Sequence, residues 1–205
     1  MSRMGPVLCT DHTPATFDPT GALRAVYLQS FPPNERQDFD ELLAACPRLA
    51  RADVDGSPAA LAVIEELPVI GAALLSYLAT DERTRNAGVG SALLRFLLAD
   101  APARYPGGLL LEVEPPEAGR AADAALRARR LGFYRRHGAV LLPVRYQMPS
   151  FTGGDPLPML LLAIGGPPAR PAVWLAGVLG ALYADIYDLD ADDPLAVAAT
   201  SSLAT

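Results

Sequence analysis

The sequence predicts a mixed α/β domain, one mixed sheet carrying helices on both faces. Short strand-like runs alternate in irregular order with amphipathic helical runs. The 205 residues are 51% hydrophobic and 20% charged, the balance of a globular chain long enough to bury a core. No internal repeat and no domain-scale linker interrupts them, so one domain with a short appendage is expected.

Val7 to Cys9 reads as a short first strand. Asp18-Pro19 reads as an N-cap followed by proline at the first helical position, opening a helix through Leu23, Val26 and Tyr27. Phe31-Pro32-Pro33-Asn34 breaks that helix, because proline fixes φ and removes a donor. A second helix spans Phe39 to Ala45. Strands follow at Leu49 to Val54 and Ala59 to Ile64, joined by the turn Asp55-Gly56. Glu65 to Pro68 reads as a turn, and a long strand runs from Val69 to Thr80.

A helix from Val89 to Leu98 puts Val89, Ala92, Leu93, Phe96 and Leu97 on one face. Gly107-Gly108 leads into the strand Leu109 to Glu114, stopped by Pro115-Pro116. A further helix covers Ala121 to His137, with Gly138 beyond its end. Strands at Ala139 to Leu142 and Met159 to Ile164 flank a polar loop holding Ser150 to Asp155. An amphipathic helix from Pro171 to Tyr187 carries Trp174, Leu175, Val178, Leu179, Leu182, Tyr183 and Ile186. The tail after Asp188 is acidic, then small and polar, and its order is not legible.

The net charge of −6, with 17 basic residues that are all arginine, argues against nucleic-acid binding and favours a neutral or cationic small substrate. Cys9 and Cys46 are too few for a disulfide framework and read as small buried hydrophobes. No His, Cys and carboxylate spacing suggests a metal. His12 and His137 read as surface or helix-end residues. No leader pattern opens the chain, and the apolar run Ala172 to Ala184 is short of the roughly 20 residues a membrane span needs. A cytoplasmic protein without membrane association is expected.

The most informative segment is Arg85-Asn86-Ala87-Gly88-Val89-Gly90, between the long strand and the helix after it. A glycine-bearing turn that opens a helix presents unpaired N–H groups at the positive end of the helix dipole, a ready phosphate site. A triphosphate-binding loop needs a lysine after its second glycine, and the chain has none. A dinucleotide fingerprint needs a third glycine where Leu93 stands. Glu112 lies at about the right distance for its acidic residue, so that alternative weakens but stays open.

Arg-x-x-Gly-x-Gly followed by Ser91-Ala92-Leu93-Leu94 resembles the acetyl-CoA pyrophosphate loop of the GNAT superfamily of N-acetyltransferases. Tyr77-Leu78-Ala79-Thr80 with Asp81 to Thr84, the strand Leu109 to Val113, and Phe133-Tyr134 followed by Gly138-Ala139 agree with that family in order and spacing. Ser30 to Arg36 resembles a bacterial branch. The resemblance covers about residues 5 to 165. It implies a mostly antiparallel sheet of about seven strands with helices on both faces. Residues 1–166 would form the acetyltransferase domain, with 167–205 as a helix and tail packed on it. The asparagine usual after the fifth strand is replaced by Pro115-Pro116-Glu117, and Ala118 to Ala125 lengthen the approach to the tyrosine-bearing helix.

The resemblance implies a chemistry. Arg85, Asn86, Ala87, Gly88, Val89, Gly90 and Ser91 would hold the pyrophosphate of acetyl-CoA. Leu78, Ala79 and Thr80 would pair with the pantetheine amides as an added strand, one N–H aimed at the thioester oxygen. Glu112, a carboxylate in an apolar strand, sits in a Leu-Glu-Val setting like that of ribosomal-protein N-terminal acetyltransferases. It would take the amine's proton. Tyr134 matches the family's general acid. Glu114 could orient a cationic substrate, and Phe31 and Glu35 are candidate acceptor contacts. One of Arg129, Arg130, Arg135 and Arg136 could reach the 3′-phosphate, although solvated helix charges explain them better. The expected function is transfer of acetyl from acetyl-CoA to a primary amine of a small molecule or peptide, possible as a homodimer. The alternative is an acyl-CoA-binding sensor with a degenerate site.

Overall fold

The computed structural model describes residues 5–18, 20–45, 48–167 and 169–204. Among them the strands are β1 (Val7–His12), β2 (Arg48–Val54), β3 (Ser57–Leu67), β4 (Ala72–Thr80), β5 (Gly108–Val113), β6 (Val140–Leu141), β7 (Tyr146–Met148) and β8 (Leu157–Ile164). The helices are α1 (Pro14–Phe17), α2 (Ala22–Ser30), α3 (Phe39–Ala45), α4 (Val89–Arg104), α5 (Ala124–Arg136), α6 (Ala172–Ala181) and α7 (Pro194–Ser201). The sheet has eight strands in the order β1-β2-β3-β4-β5-β8-β6, with β7 on β8. β1 with β2, β2 with β3, β5 with β8, β6 with β8 and β7 with β8 pair antiparallel, and β4 with β5 pairs parallel. The chain divides into two compact units, residues 1–66 with 75–101, and residues 67–74 with 102–205.

In the first unit β1, β2 and β3 form an antiparallel meander. Asp55 and Gly56 both take positive φ, +50° and +75°, which makes their two-residue hairpin the mirror-image turn that suits strand twist. Leu49, Leu61, Val63, Tyr77 and Ala79 from the strands pack against Phe17, Leu23, Val26, Tyr27, Phe39 and Leu42 from the helices. Helix α2 starts later than the sequence suggests, at Ala22. Asp18 still caps it, its carboxylate accepting from the amides of Leu23 at 3.0 Å and Arg24 at 2.8 Å across a turn closed by Gly21. Pro19 and Cys46 lie outside the described residues. Cys9 is half-buried on β1 rather than sealed in the core.

Two strand boundaries move for physical reasons. Glu65 and Glu66, expected in a turn, belong to β3, whose Ile64 and Leu67 are fully buried. The Ser76 hydroxyl donates to the Glu65 carboxylate and makes a charge tolerable there. Val69, expected to begin β4, is instead 87% exposed in a 3-10 turn over Pro68–Ile70, closed by Gly71 at φ +60°.

In the second unit β5 pairs with β8, and β8 with β6 and β7. Leu110, Leu161, Ala163, Tyr146 and Met148 form a core covered by Leu175, Val178 and Leu179 of α6 and by Leu182 and Tyr183 just after it. After α6 the helix widens into a π turn over Leu182–Ile186. The tail is ordered: Asp193 accepts from the Leu195 amide at 2.8 Å and Pro194 opens α7, the same cap signature that Asp18-Pro19 carries. Strand β7 also lies outside what the sequence predicts.

Candidate functional site

The glycine turn lies in the first unit. Asn86 and Gly88 take positive φ, +64° and +86°, so the chain reverses within three residues before α4. The first turn of the helix closes with the Ala92 amide on the Gly88 carbonyl at 2.9 Å. The amides of Val89, Gly90 and Ser91 therefore precede the helical ladder and carry the positive end of the dipole. A Cβ at Gly90 would meet the Thr80 hydroxyl at 3.0 Å, so glycine lets the helix start lie close against the end of β4. Arg85 donates from Nε to the Thr80 carbonyl at 3.4 Å. Arg83 grips Asp81 with both nitrogens, holding that carboxyl below its ordinary value. Backbone amides at a helix start have the chemistry to take an anion.

Leu78, Ala79 and Thr80 are the last residues of β4. The parallel ladder of β4 with β5 covers three pairs, Ala72 with Gly108, Ala73 with Leu109 and Leu74 with Leu110. Among the described residues that ladder stops at Leu74, and β4 continues beyond it to Thr80.

Phe31 and Glu35 are also in the first unit, brought together by Tyr77 of β4. The Phe31 ring lies 4.9 Å from that of Tyr77 and 5.5 Å from that of Tyr27. Tyr77 donates to the Glu35 carbonyl at 3.4 Å and accepts from the Gln37 amide at 3.2 Å, while Tyr27 donates to the Gln37 carbonyl at 3.1 Å. Burial pushes the Tyr27 phenol up to about 12 and Tyr77 further still, so both stay protonated donors.

Glu112 lies in the second unit, on the face of β5 that also carries Leu110. Its carboxylate is gripped by two phenols. Tyr187 reaches Oε1 at 2.8 Å and Oε2 at 2.7 Å, and Tyr146 of β7 donates to Oε1. Tyr146 is 3% exposed, and burial, reinforced by the Glu112 charge, holds its phenol well above the ordinary value. Glu114 falls just past the end of β5, half-buried, and pairs with Arg130 of α5 at 3.0 Å.

Tyr134 sits on α5, 8% exposed, its ring packed on Phe133 with centroids 5.2 Å apart. Burial pushes its phenol up to about 12, so it is protonated throughout the physiological range. Its hydroxyl bonds to no described residue. Arg127 is 5% exposed and donates to the carbonyls of Pro116 at 3.4 Å and Arg120 at 2.7 Å, tying down the segment after β5 that departs from the family pattern. His137 ends α5, its Nδ1 bonded to the Phe133 carbonyl at 2.9 Å, as a helix-end residue would be.

Sequence reasoning missed Tyr146, Tyr187 and Arg127. Tyr187 stands four residues after Tyr183 on the same apolar stripe, a spacing that places it beside the buried face. Nothing in sequence pairs it with Glu112, 75 residues away. Among the described residues no group of His, Cys, Asp and Glu could hold a metal, and no helix is long and apolar enough to cross a membrane.

Comparison with known proteins bears on the fold. No family model and no curated protein matches the chain. Among solved structures, a candidate GNAT-family acetyltransferase from Bacteroides thetaiotaomicron is similar over 89% of this chain and 99% of its own, with TM-score 0.71 and 23% identity. A ribosomal-protein-alanine N-acetyltransferase from Brucella melitensis covers 76% of this chain and 98% of its own, with TM-score 0.54 and 20% identity. A GNAT-family acetyltransferase from Elizabethkingia anophelis, solved with acetyl-CoA bound, covers 78% and 97%, with TM-score 0.50 and 15% identity. The fold is thus that of the GNAT acetyltransferases, as the glycine turn and its neighbours imply. Eight strands replace the expected seven because of the short β7.

Proposed function

We propose that this chain transfers an acetyl group from acetyl-CoA to a primary amine of a small molecule or peptide. The observation that carries the reading is the turn Arg85 to Ser91: positive φ at Asn86 and Gly88, then three helix-start amides at the end of a strand that continues beyond its ladder with β5. That arrangement suits a phosphate followed by an arm bearing amides.

In this reading Arg85, Asn86, Ala87, Gly88, Val89, Gly90 and Ser91 bind the pyrophosphate, and Leu78, Ala79 and Thr80 pair with the pantetheine amides. An aliphatic amine has a reference pKa of about 10.4, so its ammonium must first lose a proton. Glu112 takes the proton that the ammonium loses, through water. The neutral amine then attacks the thioester carbonyl. The new C–N bond forms, the C–S bond breaks, and the second N–H proton leaves nitrogen for solvent. Tyr134 supplies a proton to the departing CoA sulfur and recovers one from solvent. Phe31 and Glu35 contact the acceptor, and the acidic balance of the chain, −6, favours a cationic one. Glu114, held by Arg130, orients a cationic acceptor.

Incubation with acetyl-CoA and a panel of small amines and N-terminal peptides tests the proposal, with thiol release followed by absorbance and product mass by spectrometry. The expected result is thiol release that depends on one class of amine, with a product heavier by one acetyl group. Tight CoA binding without release for any amine would instead identify an acyl-CoA sensor.

A further inference from the structure

Resting on Glu112 as the proton acceptor, we propose that Tyr187 of the C-terminal segment, together with Tyr146, is a positioning residue for acyl transfer. The segment after the core sheet then completes the catalytic apparatus rather than only covering it. A carboxylate at the end of a flexible side chain must be held in one rotamer to meet an attacking amine, and two O–H donors on one carboxylate fix both its plane and its tilt. Tyr187 bridges both oxygens, at 2.8 and 2.7 Å, while Tyr146 binds Oε1.

The phenols are themselves fixed. The Tyr146 and Tyr183 rings pack with centroids 5.5 Å apart, and Tyr183 is anchored by its hydroxyl to the Gln147 carbonyl at 2.9 Å. Tyr187 lies 6.4 Å from the Tyr183 ring and 6.1 Å from that of Phe151, so aromatic neighbours flank it on two sides. The backbone is built to deliver it. The helix widens to a π turn over Leu182–Ile186 just before Tyr187, and the Leu189 amide closes back on the Tyr183 carbonyl at 2.9 Å. Such wide turns are rare and concentrate where a side chain must be re-aimed for function.

A double-mutant cycle on the full chain tests this, using the amine with the fastest turnover. Tyr187→Phe keeps the ring and removes the hydroxyl. It is expected to lower kcat about 10- to 100-fold, the scale of a hydrogen bond to a charged group, with KM for acetyl-CoA within about twofold. In a Glu112→Gln background the same change is expected to cost less than about twofold, because the residue acts only through the carboxylate. An undiminished effect of Tyr187→Phe in the Gln background overturns the proposal, as does a loss confined to the melting temperature. If Glu112→Gln alone leaves kcat intact, the base assignment fails and the positioning role with it. Absence of turnover by the unaltered chain with every amine overturns the underlying function.

Discussion

Gly88→Ala tests the proposed phosphate site through its backbone. Gly88 stands at φ +86° with no atom within 4 Å of a Cβ built there, so alanine meets no clash and the whole cost is conformational. An L-residue held in the left-handed region costs about 1–2 kcal/mol. Alanine also restricts the unfolded chain, which returns about 0.5 kcal/mol and leaves about 1 kcal/mol net. That energy has two places to appear. If the loop keeps its conformation, the melting temperature falls by about 2–4 °C. If the free loop relaxes instead, ligand binding must restore it, and the Kd for CoA rises about fivefold. Gly88→Val, β-branched and far less tolerant of positive φ, should push the loop into the second regime and raise Kd tenfold or more. Calorimetric titration with CoA beside thermal melts separates the cases. Unchanged melting and unchanged Kd for alanine would refute the conformational argument. Unchanged Kd for valine would refute the loop as the phosphate site.

The remaining predictions concern acid chemistry and packing. Tyr134→Phe should lower kcat by roughly 10² with little change in melting, since its hydroxyl bonds to no described residue; an unchanged rate removes it from the mechanism. Burial holds the Glu65 carboxyl above its ordinary value. Its stabilising contribution is therefore present below the unfolded pKa and lost as pH rises through the folded one. Glu65→Gln should raise the melting temperature at pH 7.5 and leave it unchanged near pH 4, and a gain of equal size at both would exclude titration as the cause. Leu182 is fully buried under the π turn, so Leu182→Ala should cost about 2–5 kcal/mol in denaturant unfolding. A cost below about 1 kcal/mol would show that the C-terminal helix is not part of the second unit's core.

Where one local cause acts alone, the structure follows the sequence. Asp55-Gly56 makes the hairpin because both positions need positive φ, and Asp18 caps α2 because its carboxylate is the nearest acceptor for the first amides. Helix α4 keeps the expected Val89, Leu93 and Leu97 on its buried face, although Leu94 is buried and Ala92 and Phe96 only half-buried. The glycine turn was legible for the same reason: it is made by consecutive residues whose backbone needs no distant partner.

What tertiary structure decided is whatever depends on residues far apart in the chain. Glu65 looks like a turn residue until Ser76, on another strand, supplies a hydroxyl. Val69 looks like a strand residue until Pro68 and Gly71 curl it into an exposed turn. Glu112 could be singled out as a carboxylate in an apolar strand, but the phenols that grip it come from 34 and 75 residues away. Local propensity and periodicity determined the hairpin, the helix faces and the glycine turn. Long-range packing, which no window of sequence contains, determined how the candidate base is held and gave the C-terminal segment its part in it.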